Sequence, residues 1–323
     1  MLDVSLRLDG VDLTFPRSTH TAITGPPACG TSTLLRIIAG EERQARGTVR
    51  IGTRDVTKLP AARRPLLYVT GELDVPGRWS VEHALVNAVR SRTLDREDRL
   101  RELQLAAEKW QLDVNRRIST LSDSERARVH LARIELRKPA IVVADKLLRD
   151  APHLADELYR TLRVLGTTVI SAPASPAELG LTDHVVILDR GKVVQQGTAA
   201  QLFAEPRSEA AAVATGTINV IPVVVKGRTV SSPIGEWDAD AGFQGEGKAL
   251  VRPGAFHVAK RGEESDLIFG IEEATFENGL WVARGFLAGV LSLRVALPRT
   301  EKVHKGRVIA LRFDPADVTL IAA

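Results

Sequence analysis

Residues 25–33 read GPPACGTST, and LLRIIAG follows with apolar residues at helical spacing up to Gly40. The short apolar run 20–24 feeds this loop, and Gly40 stands just past the helix end, where glycine is the usual residue. The order is strand, loop, helix. Such a loop binds phosphate because its backbone amides converge on the anion and the helix N-terminus adds a favourable dipole. The usual pattern is GxxxxGK[ST]. This stretch keeps Gly25, Gly30, Ser32 and Thr33, but Thr31 stands where the lysine belongs and Ala28 where a further glycine is common. The cradle survives without its principal cation.

On the N-terminal side, residues 3–15 alternate apolar and polar around Gly10, the period of a half-buried antiparallel hairpin. On the C-terminal side, strands are expected at 47–51, 66–70, 141–144, 167–171 and 184–188. Helical patterns separate several of them. One helix is capped by Ser80, and another carries Leu100, Leu103, Ala107 and Trp110 on one stripe. Strands alternating with helices predict an α/β domain with a parallel sheet covered on both faces. After Phe203 the pattern changes. AEPRSEAAAVATG is small and polar, and short β-rich runs follow, divided by Gly, Pro and Asp. The expected division is 1–204 for the α/β domain, 205–216 for a flexible linker and 217–323 for an all-β domain.

The 323 residues fit two domains better than one core. A net charge of +4, spread along the chain, gives no argument for nucleic acid, and no nucleic-acid partner is expected. The single cysteine, Cys29, excludes an internal disulfide framework and fits a reducing cytoplasm. No apolar run approaches the roughly 18 to 20 residues that cross a bilayer, and the opening residues lack the order of a signal peptide. A cytoplasmic protein, peripheral if it works at a membrane, is expected.

The stretch GPPACGTSTLLRIIAGEE resembles the phosphate loop and following helix of ABC importer ATPases, GPSGCGKSTLLRxIAGLE, down to Cys29. The remaining motifs of that family follow in order. In LLYVTGELDVPGRWSV, Thr70 stands at the strand-end glutamine that touches the metal in the family. LSDSERARVHLAR, residues 121–133, matches the signature LSGGQ and its helix, with Asp123 and Ser124 replacing the glycines. Ser122 and Glu125 also spell a capping box, in which each satisfies helix-end amides locally. That structural role is the preferred reading, because Asp123 and Glu125 repel an incoming phosphate. PAIVVADKLL resembles the Walker B strand: Asp145 remains at the metal-directing position, and Lys146 replaces the glutamate that handles the attacking water. Farther on, Pro173 falls at the γ-phosphate histidine, within one residue of alignment.

The resemblance implies a P-loop NTPase domain of ABC type, with a parallel core and antiparallel β and helical subdomains. GTINVIPVVV, VRPGAFHV and GRVIALRFDPADVTLI resemble the OB-like TOBE domain that follows the ATPase in maltose-type importers. Trp237, Trp281, Phe286 and Arg252 are candidates for a site there, with packing the preferred role. The implied partners are ABC permease membrane subunits and a second ATPase subunit, identical or not. The implied ligands are ATP and magnesium, over a vestigial loop of Gly25, Gly30, Thr31, Ser32 and Thr33, a vestigial signature at Ser122 and a vestigial metal site of Ser32 and Asp145. Five altered positions, Thr31, Thr70, Asp123, Lys146 and Pro173, act on one reaction, so ATP binding is expected to be weak or absent, magnesium stays open, and no catalytic residue is expected. The leading expectation is an importer subunit that contributes dimerisation, coupling or regulation without efficient hydrolysis. A soluble ligand sensor acting through the β domain and a slow but genuine transport ATPase are the alternatives.

Overall fold

Strand Ile141–Asp145 buries its first four residues, and they point alternately to two different cores. Ile141 and Val143 join one apolar cluster, Val142 and Ala144 the other. A strand apolar on both faces must be sandwiched, and that requirement organises the first half of the chain. The computed structural model describes residues 3–8, 11–43, 46–90, 92–216, 218–260, 265, 267–277, 279–287 and 289–323. Gly10, in the expected first turn, and Thr217, the expected start of the all-β domain, lie outside the described residues. Two compact units result, Met1–Leu202 and Phe203–Ala323.

In the first unit, β1 (Val4–Leu8) and β2 (Val11–Phe15) form the expected antiparallel hairpin, extended by β4 (Thr48–Ile51) and β5 (Arg54–Asp55). The larger sheet contains β3 (His20–Thr24), β6 (Leu67–Thr70), β7 (Ile141–Asp145), β8 (Thr168–Ala172), β9 (His184–Asp189) and β10 (Lys192–Gly197). Its order is β10-β9-β3-β8-β7-β6, parallel except for the edge strand β10. Helix α1 (Thr31–Ala39) packs with the antiparallel sheet on one face. The other face carries α2 (Val81–Val89), α3 (Arg96–Lys109), α4 (Asp123–Arg137) and α5 (Ala155–Val164).

Local chemistry fixes the helix ends. Ser80 accepts a bond from the His83 amide at 3.1 Å, and Asp95 caps α3 in the same way at 2.8 Å. Helix α1 is closed at its C-terminus from outside its own sequence. The buried Arg64 guanidinium donates to the carbonyls of Ile37 at 2.6 Å and Ile38 at 2.7 Å, and its Nε donates to Leu59 O at 3.0 Å. A cation on the last carbonyls, beside the Gly40 amide that also bonds Ile37 O, satisfies both hydrogen bonding and the dipole at the negative end of the helix. Among the described residues, no helix is long and apolar enough to cross a membrane.

The second unit opens within α6 (Ala199–Ala204) and continues through α7 (Glu209–Ala214). Here the structure corrects the expected flexible linker at 205–216: Ser208 caps α7, and Ala210, Ala211, Ala212 and Ala214 are buried. Alanine covers apolar surface without looking strongly apolar in sequence, so a helix of this composition resembles a spacer. Two antiparallel five-stranded sheets follow and share one core. One has the order β13-β12-β11-β14-β20, built from β11 (Asn219–Lys226), β12 (Thr229–Ser232), β13 (Gly235–Asp238), β14 (Gly245–Val251) and β20 (Val318–Ala322). The other is β15-β19-β16-β17-β18, built from β15 (Phe256–Val258), β16 (Leu267–Glu277), β17 (Leu280–Leu287), β18 (Leu291–Pro298) and β19 (Val308–Phe313). Trp237 is buried edge-on to Phe313 at 5.3 Å, and Trp281 meets Phe276 in the same way at 5.1 Å, which is packing chemistry.

Arg252 ties α7 down. Its guanidinium donates to Ala212 O at 3.1 Å and Thr215 Oγ1 at 2.8 Å and lies 4.2 Å from the Phe203 ring centre. Charge-assisted bonds of this kind each contribute about 1.5–3 kcal/mol. Arg252→Ala should therefore loosen α7 and accelerate trypsin cleavage after Arg207, with the wild-type protein cut slowly there. Equal cleavage rates in the two proteins would contradict the docking.

Candidate functional site

Strand β3 delivers the chain to the loop at residues 25–30, and close approach dictates its glycines. A Cβ on Gly25 would sit 2.0 Å from Leu188 O, and Gly30 has φ of 103°. Ala28 also lies in the left-handed region, at φ 63°, although it carries a side chain. The loop thus holds a glycine-type conformation at the position where glycine has been lost. The Cys29 amide bonds Pro26 O at 3.1 Å, and the Gly191 amide clamps Cys29 O at 3.0 Å.

No side chain caps the N-terminus of α1, and no acidic residue stands in its first turn. Its leading amides are oriented as an anion-binding helix end requires. The side chain of Thr31 adds no charge there; its Oγ1 hydrogen-bonds Cys29 Sγ at 3.0 Å. Ser32 Oγ donates to Asp145 Oδ1 at 3.1 Å, joining α1 to the C-terminal end of β7. The two residues assigned to a metal site are therefore adjacent.

Sheet register sets the rest. Thr70 is opposite Asp145, and Asp145 is opposite Ala172, so the ends of β6, β7 and β8 form one edge. Lys146 leaves that edge in a left-handed conformation, φ 49°, with its amide bonded to Ala172 O at 2.9 Å and its side chain exposed. Among the described residues, its ammonium forms no ion pair within 4.0 Å, with Asp145 or any other carboxylate. A cavity of about 360 Å³ brings together Ser32, Thr70, Asp145 and Lys146. Glu72, Arg149 and Asp150 line it too. No motif marks those three; the signal available was their position just past the carboxyl ends of parallel strands, where open α/β sheets bind ligands.

Pro173 does not line this cavity, and its neighbour Ala174 likewise carries no imidazole. The loop beyond β8 is instead held by the buried Glu178, which accepts from the Ala174 amide at 2.9 Å and the Ser175 amide at 3.2 Å. Burial pushes the Glu178 carboxyl above its usual range. Ser122 also stands apart, at the start of α4. Its amide donates to Glu125 Oε2 at 2.8 Å, its hydroxyl donates to the same oxygen at 2.9 Å, and the Glu125 amide returns to Ser122 Oγ at 3.3 Å. The capping box is complete. Hydrogen bonds from Ser122, with the charge of Arg116, hold the Glu125 carboxyl below its usual range.

A parallel sheet with a phosphate-type loop running into α1, and an aspartate at the neighbouring strand end, defines a P-loop ATP-binding cassette. The ABC transporter family model matches residues 8–148. An Fe(3+) ions import ATP-binding protein of Streptomyces avermitilis is 30% identical over 97% of this chain and 93% of its own length. An sn-glycerol-3-phosphate import ATP-binding protein of Brucella abortus is 30% identical, but the match covers 62% of this chain and 60% of that protein. Among solved structures, CbiO1 of Clostridium perfringens superposes with a TM-score of 0.55 at 18% identity, over 62% of this chain and 90% of its own. An ATP-binding cassette in its ADP conformation gives 0.53 at 19% identity, over 64% of this chain and 96% of its own. The chain belongs to the family of ATP-binding proteins of ABC importers.

Two consequences are measurable. Ala28→Gly removes a left-handed strain of about 1–2 kcal/mol, less the extra entropy of glycine, so it should stabilise by up to about 1 kcal/mol in denaturant unfolding; a destabilised variant would contradict the loop geometry. Ser122→Ala should cost about 1 kcal/mol in the absence of nucleotide. The double change with Glu125→Ala should lose less than the sum of the singles, because the bonds form one motif. Denaturant midpoints of the four proteins check it, and an unchanged midpoint for Ser122→Ala would reject the cap.

Proposed function

We propose that this chain is an importer subunit of ABC type that keeps the nucleotide-binding scaffold and does not turn over ATP efficiently. The observation that carries this reading is the setting of the Ser32–Asp145 bond: the next residue is Lys146, and the neighbouring Thr31 ends in a hydroxyl bonded to Cys29. A protonated ammonium cannot accept the proton of an attacking water. Phosphoryl transfer relies on positioning and on neutralising developing charge, and a threonine supplies no cation to the phosphates. ATP with magnesium is the ligand the loop, Ser32 and Asp145 suit, held more weakly than in a site with the lysine. In this reading residues 1–204 act as the ATPase-like domain. The β-rich part from 217 onward serves as a TOBE-type module, and the subunit works as a homo- or heterodimer on the cytoplasmic side of permease subunits. The relatives' names, which describe import of iron, glycerol phosphate and other solutes, support the transport role without naming the solute.

A second reading, slow genuine hydrolysis, draws on one feature: Lys146 and Arg149 line the same cavity as Asp145, where either could replace the lost cation, with Glu72 or Asp150 as the base. Magnesium-dependent phosphate release by the purified chain separates the two. The expected outcome is release at background level, unchanged in Asp145→Ala and not restored by Thr31→Lys alone. Turnover that Asp145→Ala abolishes would establish the second reading instead.

A further inference from the structure

A second cavity, of about 490 Å³, opens between the end of β6 and helix α4. Arg133 and Arg137 line it, one helical turn apart on α4. Arg133 is only 5% exposed, and its Nε is sealed from solvent with no hydrogen-bond partner. Among the described residues, neither guanidinium makes a side-chain hydrogen bond or an ion pair within 4.0 Å. A buried guanidinium without hydrogen-bond partners, such as Arg133, is costly, and the like charge of the half-buried Arg137 adds to the cost, offset in part by Asp74. Among the described residues the other buried arginine, Arg64, finds four carbonyl acceptors.

We propose that this cavity binds a small oxyanion, a phosphate or carboxylate group, through Arg133 and Arg137. The guanidinium fork matches the oxygens of such a group two at a time. Leu66 and Ala61 supply an apolar wall that limits competition from water, and Tyr68 adds a hydroxyl to the lining. His130, on the same helix, adds no charge of its own: burial, then the two arginines, hold it down to about 3. Burial and Arg137 likewise lower Arg133, to about 10, while Asp74 acts in the opposite direction, so the arginine stays charged at neutral pH. Glu41, Glu72 and Asp74 share the lining. Their charge opposes the binding of any anion, more for a dianion than for a monoanion, so the two guanidiniums must hold the ligand against it. The cavity shares Thr70 and Glu72 with the candidate nucleotide site, but neither arginine lines that site.

Thermal unfolding of the full chain at constant ionic strength, in chloride against added inorganic phosphate or acetate, tests this inference. Phosphate or acetate should raise the midpoint of the wild-type protein and of Lys146→Ala alike, the larger shift identifying the preferred oxyanion group. Arg137→Gln should need roughly tenfold more anion for the same shift, the loss expected for one charge-assisted hydrogen bond. Arg133→Met, which removes the buried charge, should abolish the response. Because that variant risks misfolding, Arg137→Gln carries the decision. No shift in the wild-type protein, or an equal shift in Arg137→Gln, would overturn the proposal. A shift lost in Lys146→Ala would assign the anion to the phosphate loop and overturn it equally.

Discussion

The bond from Ser32 Oγ to Asp145 Oδ1 joins the first turn of α1 to the end of β7, and the candidate site depends on that junction. It requires β3 and β7 on either side of β8, so that the loop after β3 and the aspartate after β7 share one edge of the sheet. It also requires α1 to stay in register along its axis. Arg64 secures the far end by capping the carbonyls of Ile37 and Ile38, and Gly40 leaves room for it: a Cβ there would meet Arg64 Nε at 2.5 Å. The near end is left open, with amides unsatisfied by any side chain. One helix is thus tied at both ends while its N-terminal dipole stays available.

Around this junction the backbone takes the form a phosphate loop needs, while the charges differ from the usual pattern. Ala28 still takes a left-handed conformation, and Lys146 takes another at the strand end. The cation stands not in the loop but at Lys146, after Asp145, in a cavity with three carboxylates, Glu72, Asp145 and Asp150, and one arginine, Arg149. Ser122 and Glu125 spend their hydrogen-bonding capacity on the helix end. Phosphoryl transfer relies on placed charge, and it is in the placing of charge that this chain departs from the usual phosphate-loop pattern.

Much of this was legible in the sequence, for identifiable reasons. The strands beside β3 are apolar runs that only a sheet buried on both faces can use, and the Ser122–Glu125 box is a local device complete within four residues. Tertiary features were not legible. Arg64 finds its acceptors on α1, 26 and 27 residues away. Glu72, Arg149 and Asp150 enter the cavity because of strand order, not motif. The alanines of α7 hid a packed helix in an apparent spacer. Of the expected stripe on α3, Ala107 and Trp110 at its C-terminal end are buried, whereas Leu100 is 56% exposed. Periodicity names a face but not how far along it the neighbours reach.

The proposed function rests on the loop at residues 25–33 being a phosphate cradle with Thr31 at the lysine position. Calorimetric titration of magnesium and ATP into the wild-type protein and Thr31→Lys tests it most directly. The account predicts weak binding by the wild-type protein and an affinity at least about tenfold higher in Thr31→Lys, the gain of one charge-assisted contact to phosphate. Equal affinities in the two proteins would contradict it, because a lysine returned to an intact cradle must meet the phosphates.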